Sequence, residues 1–179
     1  MNGKTIAIIT ARGGSKRIPN KNIKNFCGEP IINYSVKAAL NSGIFDEVMV
    51  STDSEEIAYT AKKAGANVPF MRSEKTSGDF ATTADVLLEV FGCYEKTGKT
   101  FDYACCLYPT APFITTKKLK LGLDTLINNK ASSVVPVVKF SYPPQRGFII
   151  GEDNTITYKW PENYSKRSQD LEPLYHDAG

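Results

Sequence analysis

No stretch of this chain approaches the roughly 18 consecutive apolar residues that a membrane-spanning helix needs. The N-terminus has neither the apolar stretch nor the small-residue cleavage site of a signal peptide. Cysteine is scarce: Cys27, Cys93, Cys105 and Cys106 show neither paired metal spacing nor a disulfide framework, so reduced core or near-core thiols are expected. Repeats and low-complexity segments are missing. So are both common nucleotide fingerprints, because a P-loop needs GKS or GKT after its spacer and a dinucleotide fold needs GxGxxG, and GGSKRIP is neither. Net charge is only +3, and it is concentrated in one loop, residues 12–24, without which the rest of the chain is acidic. Charge that small and local argues against general nucleic-acid binding. The expectation is a cytoplasmic, soluble, single-domain protein that engages no nucleic acid and no membrane.

What is there begins with KTIAIITARGGSKRIPNKNIK, an apolar strand from Thr5 to Thr10 running into a loop with two glycines. Arg12, Lys16, Arg17, Lys21 and Lys24 follow within that loop with no acid among them. Such charges repel one another, so their expected partner is an anion supplied from outside, and a triphosphate suits them best. Gly13 and Gly14 lack a Cβ, which lets backbone N–H groups approach phosphate oxygens and permits positive φ at the turn. The plainer alternative is a basic surface loop with a Gly–Gly turn.

The remainder alternates strand and helix. Pro30 is expected to open a helix with Ile32, Val36, Ala39 and Leu40 on one face, closed by Gly43. Phe45 to Ser51 reads as a strand, and Asp53 and Ser54 can cap a helix carrying Ile57, Ala58, Ala61 and Ala64. A short strand is expected at Val68 to Met71, a helix at Ala81 to Lys96, a buried strand at Tyr103 to Tyr108, a helix at Thr115 to Asn128 and one more strand at Ser133 to Val138. Phe148 to Ile150 and Thr155 to Lys159 flank GEDN as an antiparallel hairpin. The pattern predicts an α/β fold: three layers, a mostly parallel twisted sheet flanked by helices, Rossmann-like, with a C-terminal hairpin excursion. Ligands in such sheets bind outside the carboxyl ends of the strands, where the loops after Thr10, Ser51 and Tyr108 converge.

Four separated segments together resemble the acylneuraminate-type cytidylyltransferases, which activate nine-carbon sialic-type sugars: ARGGSKRIPNKNI, STDS, LYPTAP and RSQD. ATTADV after Phe80, CCLY, and the terminal RSQDLEPLYHDAG look like the pseudaminic acid branch in particular. The resemblance implies the nucleotide-diphospho-sugar transferase fold, and a reaction of CTP with a nine-carbon keto sugar acid that gives the CMP-sugar and pyrophosphate. It also implies a homodimer and Mg2+ bridging the phosphates. CMP-N-acetylneuraminate synthesis and a non-catalytic nucleotide-binding module are the alternatives.

By the same resemblance Ala11, Arg12, Gly13, Gly14, Ser15, Lys16, Lys21 and Asn22 surround the nucleotide, with Arg72, Thr82 and Tyr108 near it. On residue type alone, Arg72 could equally be a surface charge, and Thr82 and Asp53 helix caps. Arg167, Gln169, Tyr175, His176 and Asp177 are expected to face the sugar. A guanidinium recognises a carboxylate through two parallel hydrogen bonds, which makes Arg167 the first candidate for the sugar acid and Arg146 the second. The expected catalytic groups are Arg12, Lys21 and Arg167, and the lone His176 could serve as a base. The family's late acidic motif around DIDT, which ligates the metal, does not occur here. The expectation is therefore one nucleotidyltransferase domain over residues 1–179 that lacks its C-terminal segment, with unknown metal ligands.

Overall fold

A computed structural model describes residues 3–15 and 18–178. The chain divides into two compact units, Met1–Ser132 and Ser133–Gly179. The first is built on a parallel sheet in the order β4-β1-β5, formed by β4 (Glu47–Ser51), β1 (Thr5–Thr10) and β5 (Tyr103–Leu107). The central position of β1 explains its sequence: a strand paired on both edges and covered on both faces is apolar throughout. Ala7, Ile9 and the following Ala11 point to one side. They meet helices α1 (Ile32–Ser42), α2 (Glu55–Lys63) and α5 (Thr116–Asn128) through Val36, Ala39, Ile57, Ala61 and Leu119. Ile6 and Ile8 point to the other side, with Met49, against Val90 and Tyr94 of α4 (Thr83–Glu95). Phe70 and Phe101 sit edge-on to Tyr94 there, with ring centroids 5.4 and 5.2 Å away. Helices thus cover both faces of a parallel sheet, as the alternation predicted.

Several local expectations are corrected. Pro30 does not open α1; it belongs to β3 (Glu29–Pro30), which pairs antiparallel with β2 (Asn25–Phe26). Cys27 and Gly28 form the two-residue turn between them, at φ 48 and 103. Positive φ at both central residues is what such a tight hairpin demands, which is why glycine stands second. Cys27 is therefore an exposed turn residue and not a core thiol. Val68 to Met71 forms no strand, because Pro69 has no N–H to donate; pairing is confined to Asn67, bridged to Met49.

β5 is an edge strand of its sheet, so Cys105 is only half-buried and Cys106 is exposed. Burial still pushes the Cys105 thiol up to about 11, which keeps it protonated and unreactive at neutral pH. The helix after β4 is capped by Ser54, whose side chain accepts from the Ile57 N–H, and not by Asp53.

The second unit contains two separate antiparallel pairs. β6 (Val137–Lys139) pairs with β9 (Tyr175–Asp177), so the strand expected at Ser133 to Val138 does not extend the parallel sheet. β7 (Phe148–Ile150) and β8 (Ile156–Tyr158) form the expected hairpin around GEDN, with Asn154 at φ 62. Among the described residues of this unit only Asn163 is buried, and its strands expose Val137, Val138, Ile149, Ile150 and Ile156. A short four-residue helix, α3 (Glu74–Ser77), completes the inventory of the first unit. Among the described residues no helix is long and apolar enough to cross a membrane.

Ile8 is fully buried between β4 and β5 and faces α4. Ile8→Ala is expected to lower stability by about 2–5 kcal/mol in urea unfolding, whereas a loss below about 1 kcal/mol would contradict a sealed layer there.

Candidate nucleotide cleft

At the carboxyl end of β1 a cavity of about 600 Å³ opens between the loop 11–24, the start of α4 and the segment after β5. Its walls carry Arg12, Ser15, Lys21, Asn22, Arg72, Thr82 and Tyr108, seven of the residues the sequence nominated. Ala11 is not on the wall. Its side chain is part of the core, and its N–H donates to the Ser51 carbonyl at 2.9 Å. Gly13 and Gly14 do not line the cavity either, and neither has positive φ, so the reason for glycine differs from the expected one. A Cβ on Gly13 would lie 3.0 Å from Ser54 Cβ, because the loop is drawn against the start of α2. The Asp53 carboxylate makes that contact by accepting the Gly13 N–H at 2.7 Å. A Cβ on Gly14 would meet nothing within 4 Å. Lys16 and Arg17 lie outside the described residues.

The backbone of Arg12 is held from both sides. Its carbonyl accepts from Asn22 Nδ2 at 2.8 Å, and Gly13 is tied to Asp53. Asn22 follows Asn20, whose φ of 51 starts the 3-10 turn Lys21–Ile23, and it is 5% exposed with Oδ1 unpartnered. A buried acceptor without a donor in the wall of a polar cavity is suited to a ligand hydroxyl or amine. The expectation that the loop's cations find no acid inside the protein is corrected: Arg12 Nη1 donates to Asp79 Oδ1 at 2.8 Å and to the Gly78 carbonyl at 3.4 Å. Lys21 is exposed and forms no ion pair among the described residues.

Arg72 is buried and is no surface charge. Its Nε donates to Ser51 Oγ at 3.0 Å and its Nη2 to the Ser51 carbonyl at 2.7 Å. Burial lowers its pKa below the usual guanidinium value, and the Asp53 and Glu89 carboxylates oppose that shift, so the guanidinium stays charged in the wall. Thr82 both lines the cavity and caps α4, in a capping box with Asp85. Glu89, one helical stretch further on, accepts from the Ser73 N–H at 2.8 Å and from the Thr76 hydroxyl, fastening α3 to α4. Burial pushes the Glu89 pKa up, but those hydrogen bonds and Arg72 outweigh it and leave it below 4.5. Sequence reasoning missed Thr10, Thr76, Asp79 and Thr110, which also line the cavity. Nothing in the loop's sequence pointed to Asp79, since its cations called for an anion from outside.

The nominated sugar residues lie in the second unit. Arg167 spends both teeth of its guanidinium on Asp170, Nε to Oδ2 at 2.7 Å and Nη2 to Oδ1 at 3.0 Å. Gln169 stands on the same 3-10 turn, and Tyr175, His176 and Asp177 form β9. The His176 ring packs on Phe140 at 4.7 Å, and its Nδ1 lies 2.7 Å from the Asp177 carbonyl oxygen. Arg146 donates to Ser168 Oγ at 3.4 Å, and its Nε is enclosed without an acceptor. Among the described residues no three His, Cys, Asp or Glu side chains gather to hold a metal ion. These residues therefore do not by themselves fit the magnesium that the resemblance implies.

Because folding depresses the Glu89 pKa, its stabilisation is present above 4.5 and lost as pH falls through the lower folded value. Glu89→Gln is expected to cost about 1–3 kcal/mol at neutral pH. The gap to wild type should close in acid; a gap independent of pH would contradict an ionised Glu89. Gly13→Ala is expected to weaken nucleotide binding while shifting the melting temperature little, because the clash lies in the loop and not in the core.

The cytidylyltransferase family model matches residues 6–143. The chain is 44% identical over 176 residues to the pseudaminic acid cytidylyltransferase of Campylobacter jejuni serotype O:2, covering 98% of this chain and 76% of that protein. It is 30% identical over 178 residues to the N-acylneuraminate cytidylyltransferase of Streptococcus agalactiae serotype V, covering 98% of this chain and 42% of the relative. The solved structure of CMP:2-keto-3-deoxy-manno-octonic acid synthetase complexed with CTP superposes with a TM-score of 0.67 at 22% identity, over 98% of this chain and 72% of that one, a likeness of fold. With the family pattern spanning β1 through the second unit's first strand, and the cleft it surrounds in place, this chain belongs to the cytidylyltransferases.

Proposed function

We propose that the protein transfers CMP from CTP to a nine-carbon keto sugar acid, pseudaminic acid, and releases pyrophosphate. The observation that carries the reading is the cleft itself: Arg12, Lys21 and Arg72 converge on one cavity with an unpartnered Asn22 acceptor. The pseudaminic acid assignment is supported by 44% identity to a relative of that name, against 30% for the N-acylneuraminate relative.

In this reading the loop 11–22 receives the triphosphate, with Lys16 contributing, and Arg72, Thr82 and Tyr108 border the nucleoside. The anomeric hydroxyl oxygen attacks the α-phosphorus, and the bond to the oxygen bridging to the β-phosphate breaks. Pyrophosphate leaves with the electron pair, and the hydroxyl proton passes to solvent water. Arg12 and Lys21 neutralise charge that builds on the phosphoryl oxygens, and the backbone clamps at Arg12 and Gly13 help hold the α-phosphate in line, so positioning and electrostatics do the work of a nucleophile. Among the described residues no carboxylate set gathers to hold Mg2+, so no step is routed through it.

The sugar is taken by Arg167, Gln169, Tyr175, His176 and Asp177. Arg167 must exchange Asp170 for the sugar carboxylate, whereas Arg146 already holds an unused Nε donor. The exposed apolar strands of the second unit fit a homodimer, in which a second copy covers them. Four thiols without a bridge and a dependence on CTP suit the cytoplasm.

The reading is tested by pyrophosphate release from CTP in the presence of the sugar acid. Release is expected with CTP and pseudaminic acid, much less with N-acetylneuraminic acid, and none with UTP, GTP or ATP. Equal rates with both sugars would overturn the branch, and release indifferent to the base would overturn the cytosine assignment. Calorimetry of Arg12→Ala and Lys21→Ala should show CTP affinity lowered roughly ten- to a hundredfold, the loss of a charge-assisted contact. Unchanged affinity in both would remove the triphosphate from this loop.

A further inference from the structure

Arg12 is pinned at the backbone on both sides, so its guanidinium is the part of the loop that can change partner. That guanidinium is held by Asp79 at 2.8 Å and by the Gly78 carbonyl at 3.4 Å. Asp79 reaches it from the turn 78–81, whose Gly78, Asp79 and Ala81 all line the cavity. Both ends of that turn are fixed, by Glu89 on Ser73 and Thr76 and by the Thr82–Asp85 capping box. Its middle is not. The turn's internal bond, Ala81 N–H to the Gly78 carbonyl, is long at 3.4 Å, and Phe80 is fully exposed, so no apolar side chain anchors it. The pair itself is open to water, 38% and 40% exposed at the two side chains, so it is a weak pair that a stronger anion can exchange.

We propose that Asp79 is an internal stand-in for phosphate: it holds the Arg12 guanidinium at the cavity wall and competes with the incoming triphosphate for it. The inference rests on the triphosphate being bound by this loop and adds a positioning residue that acts through Arg12. The competition lowers apparent affinity, because the binding-competent Arg12 must first be freed. In return Arg12 is kept oriented at the cavity wall, and only an anion that outcompetes the carboxylate for the guanidinium takes it over.

The experiment measures binding of CTP and of inorganic triphosphate to wild type, Asp79→Asn, Asp79→Glu, Arg12→Ala and the Asp79→Asn/Arg12→Ala double variant, without metal, by calorimetry. Asp79→Asn is expected to tighten both ligands about two- to fivefold, the value of one exposed ion pair. Asp79→Glu should return affinity towards wild type, and the gain should disappear in the Arg12→Ala background. Unchanged or weakened binding in Asp79→Asn, or a gain that persists without Arg12, would overturn the inference even if the nucleotide reading stands. Absence of binding by wild type and every variant would instead overturn the nucleotide reading itself. Thermal melting of each variant confirms folding, and since the turn is exposed no large shift is expected.

Discussion

The carbonyl of Ser51 is the point on which the cleft depends. It accepts the Ala11 N–H at 2.9 Å and Arg72 Nη2 at 2.7 Å, so one oxygen at the end of β4 fixes both the departure of the loop after β1 and the seat of the buried cation. A carbonyl has two lone pairs, and here both are used in a low-dielectric wall where an unmade hydrogen bond is expensive. Because β1 is central and covered by helices on both faces, its end cannot wander, and Arg12 inherits that position. Asp53 and Asn22 then clamp the loop at Gly13 and Arg12. The Arg12 backbone is thereby held in place, the kind of preorganisation that electrostatic catalysis of phosphoryl transfer requires.

The two units differ in how they are stabilised. The first buries two apolar layers, one on each side of the sheet, and carries its polar groups at the edges and in the cleft. The second has paired strands and aromatic contacts, Phe148 with Tyr158 at 4.6 Å and Tyr158 with Tyr164 at 5.2 Å, but exposes most of its apolar side chains. Two-stranded ribbons are marginal alone, so that unit calls for a surface to cover it.

What was legible in the sequence was local. The apolar run Thr5–Thr10, the Thr82 cap and the GEDN hairpin follow from neighbours within a few residues, and the structure has them all. What was not legible depended on distance or on competition between neighbours. Asp79 lies 67 positions from Arg12, and no pattern in the loop announces it. Asp53 and Ser54 are both good caps, and only the approach of Gly13 frees Asp53 from that role. Tyr103 to Tyr108 reads as buried by composition, yet burial depends on which strands flank it, and β5 has a neighbour on one side. Pro30 reads as a helix start until Cys27 and Gly28 are seen to turn the chain. Arg167 reads as the sugar-facing guanidinium, whereas in the structure both its teeth are taken by Asp170 three residues on.

The most direct test of the account is a crystal structure of the protein with a non-hydrolysable CTP analogue. The account predicts the triphosphate against residues 12–22, with the Arg12 guanidinium turned from Asp79 onto a phosphate oxygen, Arg72 still on Ser51, and Asn22 Oδ1 supplied with a donor. A triphosphate bound away from this loop, or one seated there while Arg12 remains on Asp79, would contradict it.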